Sequence, residues 1–96
     1  MQYVRISLVA PKEGKRNEVM AIEDQLVEHF RSLPGFLEGY RLNSPHQVGR
    51  VTVWDSGDSA DAVANNQHTL SLRSQLLPLI GDSIEYGMQA EHVERA

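Results

Sequence analysis

Apolar and polar residues alternate along four stretches of the chain, and this period of two predicts four β-strands. The strands are predicted at Tyr3 to Val9, Phe36 to Leu42, Val48 to Asp55 and Ser83 to Ala90. The first and third strands carry apolar or aromatic side chains on both faces. A sheet built from them therefore needs cover on both sides.

A period close to 3.6 predicts a first helix that begins near residues 14–16 and is stopped by Pro34-Gly35. Its apolar face carries Val19, Ile22, Leu26, Phe30 and Leu33. Its other face is predicted to carry Glu18, Glu23, Asp24, Glu28 and Arg31. These charges are expected to lie in solvent, so Glu23→Ala should change the free energy of unfolding by no more than about half a kcal/mol.

A second helical region is predicted from about Ser59, with Asp58 or Ser59 as its N-cap. Four polar residues at 65–68 (Asn-Asn-Gln-His) interrupt its apolar pattern, which then resumes up to residue 80. Polar side chains cannot pack against a sheet without hydrogen-bond partners. The interruption therefore predicts a cavity between the sheet and the helices, with His68 and one or both of the asparagines at its rim.

The element order βαββαβ predicts a ferredoxin-like α+β fold, an antiparallel four-stranded sheet with both helices on one face. Residues 1–96 are expected to form one domain, with a flexible tail at 91–96. A second copy of the chain, packed sheet against sheet, is the simplest cover for the other face. The sequence therefore predicts a homodimer.

The composition excludes several classes of function. The net charge is −4 and the basic residues form no stripe, so no nucleic acid is expected as a partner. The chain has no cysteine, which excludes disulfides and thiolate chemistry. No apolar run is long enough for a membrane span and no signal-peptide pattern is visible, so the expected location is cytoplasmic. The four histidines lack metal-ligand spacing and no phosphate-binding glycine loop is present, so no metal or cofactor is expected.

Three short features resemble the antibiotic biosynthesis monooxygenase superfamily. They are the segment Leu-Pro-Gly-Phe at 33–36, the segment Val-Trp-Asp-Ser at 53–56, and His68, fourteen residues after the tryptophan. The resemblance spans Tyr3 to Met88 and implies a dimeric α/β barrel. It also implies kinship with cofactor-independent monooxygenases that oxidise quinols or phenols, and with haem-degrading enzymes.

Two departures narrow what the resemblance implies. Many members carry a second histidine in the first half of helix two, where this chain has Val63. The haem-degrading branch uses an asparagine, a tryptophan and a histidine at positions that correspond here to Ser7, Val63 and Arg73. Haem degradation is therefore not expected.

The polar interruption supplies the candidate catalytic residue. His68 is expected near a helix start, where the positive end of the helix keeps the imidazole neutral, so it could act as a general base. Asn65 and Asn66 could bind a substrate oxygen through their amide N–H groups. The alternatives are a surface histidine and a helix-capping asparagine.

Four strand residues are candidates for substrate binding. Trp54 could offer an aromatic wall to a planar substrate, or could be a core or interface residue. Tyr40, Ser7 and Arg5 could line the pocket, depending on which face of the sheet meets the helices. Arg5 could instead form an ion pair at a dimer interface.

The sequence leaves two functions open. One is a cofactor-independent monooxygenase acting on a small planar aromatic molecule or quinol, with His68 as base, Asn66 as donor and Trp54 as wall. The other is a non-catalytic dimer on the same scaffold that binds a small ligand or is associated with stress. Oxygen uptake with a panel of quinols distinguishes them.

Overall fold

The computed structural model describes residues 1–96 and contains one four-stranded antiparallel sheet in the order β2-β3-β1-β4. The elements are β1 (Gln2–Pro11), α1 (Arg16–Arg31), β2 (Phe36–Asn43), β3 (Val48–Trp54), α2 (Gly57–Ala64), α3 (Gln67–Leu76), a 3₁₀ turn (Leu77–Leu79) and β4 (Ile80–Ala90). The predicted ferredoxin-like α+β fold is confirmed. None of the helices is both long enough and apolar enough to cross a membrane.

The second helical region is two helices rather than one, and its capping differs from the prediction. Ser56, not Asp58 or Ser59, is the N-cap of α2, and its Oγ accepts a hydrogen bond from the Ser59 backbone N–H at 3.1 Å. Ser56 has an extended backbone conformation, which points its hydroxyl back over the free N–H groups of the first turn. Gly35, which follows α1, has a φ of 88°, a conformation that favours glycine.

The strand register decides which face of the sheet meets the helices. Ser7 lies opposite Arg50, and Arg5 lies opposite Thr52, so these four side chains share one face. Ser7, Arg50 and Thr52 are buried there against the helices. The core under the helices is completed by Val9, Val19, Ile22, Leu26, Phe30, Val48, Trp54, Ala60, Val63, Leu72, Leu76 and Ile80.

The opposite face of the sheet is apolar and carries no helix. Ile6 lies opposite both Val51 and Tyr86, and Tyr40 lies opposite Val51. Tyr86 is 64% exposed, and Ile84 and Tyr40 are also exposed. We call this surface, formed by the side chains of Val4, Ile6, Leu8, Tyr40, Leu42, Val51, Val53, Ile84, Tyr86 and Met88, the open sheet face.

The prediction that Glu23 lies in solvent is wrong. Its side chain is fully buried, and Oε2 accepts a hydrogen bond from Arg50 Nη1 at 2.6 Å. Glu23 follows Val19 by four residues and precedes Leu26 by three, so the helix places it on the buried stripe. The sequence interpretation gave its charge more weight than its position in the helix.

The C-terminal tail is held at the edge of the open sheet face. The Val93 backbone N–H donates to Gln2 Oε1 at 2.7 Å, and Arg95 Nη2 donates to Glu38 Oε1 at 3.2 Å. Tyr40 Oη also donates to Glu38, at 2.8 Å. These hydrogen bonds, from Tyr40 first and Arg95 second, hold the pKa of the Glu38 carboxyl below its ordinary value of 4.5.

The tail contact is expected to depend on pH. Because Arg95 lowers the pKa of Glu38 in addition to the hydrogen bond from Tyr40, the contact is favoured where the Glu38 carboxyl is ionised. It is lost as the pH falls through the lowered pKa. NMR chemical shifts of the amides of residues 93–95 should report the loss of the Arg95 contact, and Glu38→Gln, which has no carboxyl group to titrate, should make these shifts independent of pH over the same range. Tail shifts that stay constant down to pH 3 in the wild type would contradict this expectation.

Candidate functional site

A groove lies between the helix-facing side of the sheet and α3. Its outer part is a cavity of about 370 Å³, within the usual size of a small-molecule site. Half of its lining is apolar, and the lining residues are Ser7, Val9, Arg50, Leu70, Arg73, Ser74, Leu76, Leu77, Ile80, Ser83, Ile84 and Glu85. We call this outer cavity, together with the smaller one behind it, the α3 groove.

The inner cavity is about 20 Å³ and shares Arg50, Arg73 and Glu85 with the outer one. This volume is sufficient for a single water molecule. Thr69 also lines it, and its buried hydroxyl has no hydrogen-bond partner in the protein. A buried hydroxyl in this position normally bonds to a water or to a ligand atom.

Three guanidinium groups converge on the α3 groove. Arg50 uses Nη1 for Glu23, and no protein group accepts a hydrogen bond from its other N–H groups. Arg5 donates to the Ala60 carbonyl at 3.2 Å and lies 3.5 Å from both Asp61 and Glu85. Arg73 lies 3.5 Å from Glu85, the only carboxylate among the lining residues.

Two of the binding residues predicted from the sequence lie in the groove, and a third lies mostly in the core. Ser7 lines the outer cavity and Arg5 the inner one. Trp54 is 1% exposed, and its ring packs edge-on against Phe30 and Phe36. It reaches only the inner cavity, so it is a core aromatic and not the wall of an open pocket.

Tyr40 and Asn65 do not line the groove. Tyr40 lies on the open sheet face, because its pairing with Val51 turns it away from the helices. Asn65 ends α2 and is exposed, and its side-chain amide donates to the Asp61 carbonyl at 3.0 Å. Neither side chain can contact a ligand in the α3 groove of its own chain.

Asn66 and His68 lie together at a different place on the surface. Asn66 is the N-cap of α3, and its Oδ1 accepts from the backbone N–H groups of His68 and Thr69 at 2.9 and 3.3 Å. The same oxygen lies 3.1 Å from His29 Nε2. The His68 ring is exposed and meets the His29 ring edge-on, with centroids 4.6 Å apart.

The prediction that the polar interruption forms a cavity rim is therefore wrong for His68. The chain breaks at Asn65 and Asn66 to start a new helix, and the polar side chains serve that break as caps. Asn66 borders a separate hollow of about 200 Å³ with Leu33 and Val63, and His68 lines neither this hollow nor the groove.

The sequence interpretation missed Arg50, Arg73, Glu85 and Thr69. A signal existed for Arg50, which is a charged residue inside a mostly apolar strand, as Arg5 is. Arg73 and Glu85 offered none, because they look like ordinary surface charges until the fold brings α3 over β4. Nowhere in the structure do three or more His, Cys, Asp or Glu side chains cluster in a way that could hold a metal ion.

Two variants distinguish the capping role of Asn66 from its predicted role in binding an oxygen atom of the substrate. Asn66→Ala should lower the free energy of unfolding by about 1 kcal/mol, because it removes the acceptor for two backbone N–H groups. Asn66→Ser keeps a capping oxygen and removes the amide donor, so it should be nearly as stable as the wild type. Urea denaturation measures both. Equal loss of stability in the two variants would contradict the capping role.

The sheet order and the helices on one face define a ferredoxin-like α+β protein with a half-apolar groove under α3. Solved structures with the antibiotic biosynthesis monooxygenase name share this fold, so the family resemblance of the sequence is confirmed at the level of the fold. No family model matches the sequence, and no curated protein gives a significant match to it.

Three solved structures illustrate the likeness. SnoaB from Streptomyces nogalater, a cofactor-independent oxygenase, is 16% identical with a TM-score of 0.82, over 96% of this chain and 95% of its own. Rv0793 from Mycobacterium tuberculosis is 16% identical with a TM-score of 0.88, over 100% and 99%. A protein from Chloroflexus aurantiacus that carries the antibiotic biosynthesis monooxygenase name is 25% identical with a TM-score of 0.72, over 97% and 98%.

Proposed function

We propose that this protein is a cofactor-independent monooxygenase that oxidises a small planar aromatic molecule or quinol in the α3 groove. The observation that carries the proposal is the groove itself, a cavity of about 370 Å³ with half its lining apolar and guanidinium groups at its inner end. The fold that it shares with SnoaB, a cofactor-independent oxygenase, supports the same reading.

The proposed reaction requires few protein groups. A deprotonated quinol or phenol is electron-rich enough to pass an electron to O₂ directly. One oxygen atom then enters the substrate and the other leaves as water with two hydrogens from the substrate, so no added reductant is needed. The groove would exclude bulk water through its apolar side, and Arg50 and Arg73 would stabilise the substrate anion electrostatically.

The proposed active form is a homodimer joined through the open sheet face. That face bears Tyr40, Ile84, Tyr86 and Met88, four large apolar side chains that are all exposed in the single chain. Monomeric proteins rarely expose a contiguous apolar patch of this kind. A second copy related by a two-fold axis would cover it with the same apolar surface.

Oxygen consumption tests the proposed function. The purified protein, stripped with a chelator, should accelerate oxygen uptake with at least one member of a panel of naphthoquinols and anthrones above the buffer rate. Mass spectrometry with ¹⁸O₂ should place one labelled atom in the product. Uptake equal to the buffer rate across the whole panel would overturn the proposal.

A variant of His68 distinguishes this proposal from the sequence-based prediction that His68 is the general base. Because His68 lies outside the groove, His68→Ala should change turnover by no more than about threefold, well below the 10²–10⁴-fold loss typical of a removed general base. Oxygen uptake with the best substrate of the panel measures it. A loss of a hundredfold or more would restore His68 to the role of base.

One observation favours the second candidate function, a non-catalytic protein that binds a small ligand. The only carboxylate in the groove, Glu85, is shared between Arg5 and Arg73, and no histidine lines the cavities. The groove thus offers few groups that could take a proton from a substrate. Saturable ligand binding without oxygen uptake would establish this function instead.

A further inference from the structure

We propose that the α3 groove selects molecules with a group that is anionic at neutral pH, such as an aromatic carboxylate, which its arginines bind directly. As an assignment of substrate class, this rests on the proposed function. As an assignment of ligand chemistry, it stands on the charges and hydrogen bonds of the groove.

The charge of the groove opposes the charge of the whole protein. The chain carries a net charge of −4. In the groove, however, Arg5, Arg50 and Arg73 face only Glu85 among the lining residues, with Glu23 buried behind Arg50. Asp61 contacts Arg5 from outside the groove with a 72% exposed side chain. The lining itself therefore carries three cations and one carboxylate, and Glu23 and Asp61, which lie outside the lining, balance the other two charges.

Arg50 and Arg73 also have N–H groups that donate to no protein atom. Arg50 is nine-tenths buried, yet it donates only to Glu23 and leaves its other N–H groups without a protein acceptor. Arg73 contacts only Glu85, at 3.5 Å, which is long for a hydrogen bond between charged groups. A carboxylate placed between the two guanidinium groups would accept the charge-assisted hydrogen bonds that the protein does not fill.

The remainder of the groove suits the rest of such a ligand. Leu70, Leu76 and Ile80 offer apolar contact for an aromatic ring in the outer cavity. The unpartnered hydroxyl of Thr69 lies in the inner cavity, next to the arginines. An aromatic acid would therefore point its carboxylate inward and its ring toward the opening.

Calorimetric titration of the intact protein with 2-naphthoate and its neutral analogue 2-naphthamide tests the proposal. The two molecules share a ring system and differ in charge. The carboxylate should bind at least about tenfold more tightly, which is the difference expected from charge-assisted hydrogen bonds. Equal affinities for the two, or no binding of the carboxylate, would overturn the proposal.

Two variants with opposite expected effects sharpen the test. Arg73→Gln should weaken naphthoate binding about fivefold or more, whereas Glu85→Gln should strengthen it, and neither should change naphthamide binding. Both side chains are more than a third exposed, so both variants should fold. Arg31→Gln, a surface arginine on α1, is the control and should leave affinity unchanged. A loss with Arg31→Gln equal to that with Arg73→Gln would refute site-specific binding.

The contribution of Arg50 needs a paired variant, because removing it alone would leave the buried Glu23 without its cation. Glu23→Gln with Arg50→Met removes both charges together, so no unpaired charge stays buried, and should weaken naphthoate binding by about tenfold or more. Oxygen uptake with the quinol panel distinguishes a failure of this inference from a failure of the proposed function. Oxidation of neutral quinols without carboxylate binding would refute only this inference. Carboxylate binding without oxidation of any substrate would refute only the proposed function.

Discussion

Glu23→Leu is expected to lower the free energy of unfolding by about 3–5 kcal/mol, although it places an apolar residue in the core. The Glu23 carboxylate is fully buried and 2.6 Å from Arg50 Nη1, and the Arg50 side chain is 7% exposed. Without Glu23, the guanidinium group stays buried and loses its only carboxylate. The desolvation cost of that unpaired charge exceeds what the leucine side chain gains by burial.

Urea denaturation measures the change, and two further variants make it specific. Glu28→Leu changes an exposed residue of the same helix and should alter stability by no more than about half a kcal/mol. Glu23→Leu with Arg50→Met removes both charges and should recover most of the loss, because no unpaired charge remains. If Glu23→Leu and Glu28→Leu had the same midpoint, Glu23 would have to lie in solvent.

Tyr86→Asp is expected to dissociate the proposed homodimer, weakening association by at least about a hundredfold, or 2.7 kcal/mol. Tyr86 lies on β4 beside Ile6, on the open sheet face. In the single chain its side chain is 64% exposed, so the charge should be tolerated by the fold. In a dimer the aspartate would be buried against an apolar surface without a partner.

Sedimentation at micromolar concentration measures the masses. The wild type should sediment at twice 10.8 kDa, and the Tyr86→Asp variant at 10.8 kDa with an unchanged circular dichroism spectrum. Leu77→Asp is the matched control, because Leu77 is 67% exposed but lies on the helix side of the sheet. A wild type that is monomeric at this concentration, or a dimer that survives Tyr86→Asp, would rule out association through this face.

The sequence by itself determined the order of the elements and most of their extent. The period of two marked all four strands to within a few residues, and the period of 3.6 together with Pro34-Gly35 marked α1. These patterns work because strand and helix geometry act locally, through residues two to four positions apart. The break at Asn65 and Asn66 was also visible, since helix caps are local signals, and a capping asparagine was one of the two interpretations that the sequence offered beside a pocket rim.

The tertiary structure alone decided which face of the sheet meets the helices. Alternation in β1 shows that its two faces differ, but it does not show which one is covered. The sequence therefore left open whether Arg5 and Ser7 or Ile6 and its even-numbered neighbours would face the helices. The structure turns Arg5 and Ser7 toward the helices and leaves Ile6 on the open sheet face. With this orientation of the sheet, Tyr40 lies on the open sheet face and Arg50 lines the α3 groove.

The partners of the charged groups were likewise decided by the fold. Glu23 and Arg50 are 27 residues apart in sequence, and Arg73 and Glu85 are twelve apart on different elements. No local pattern pairs such residues, because an ion pair depends on where two elements cross and not on the spacing within either one. The sequence contained every residue of the α3 groove, but the packing of α3 over β1 and β4 is what makes them one site.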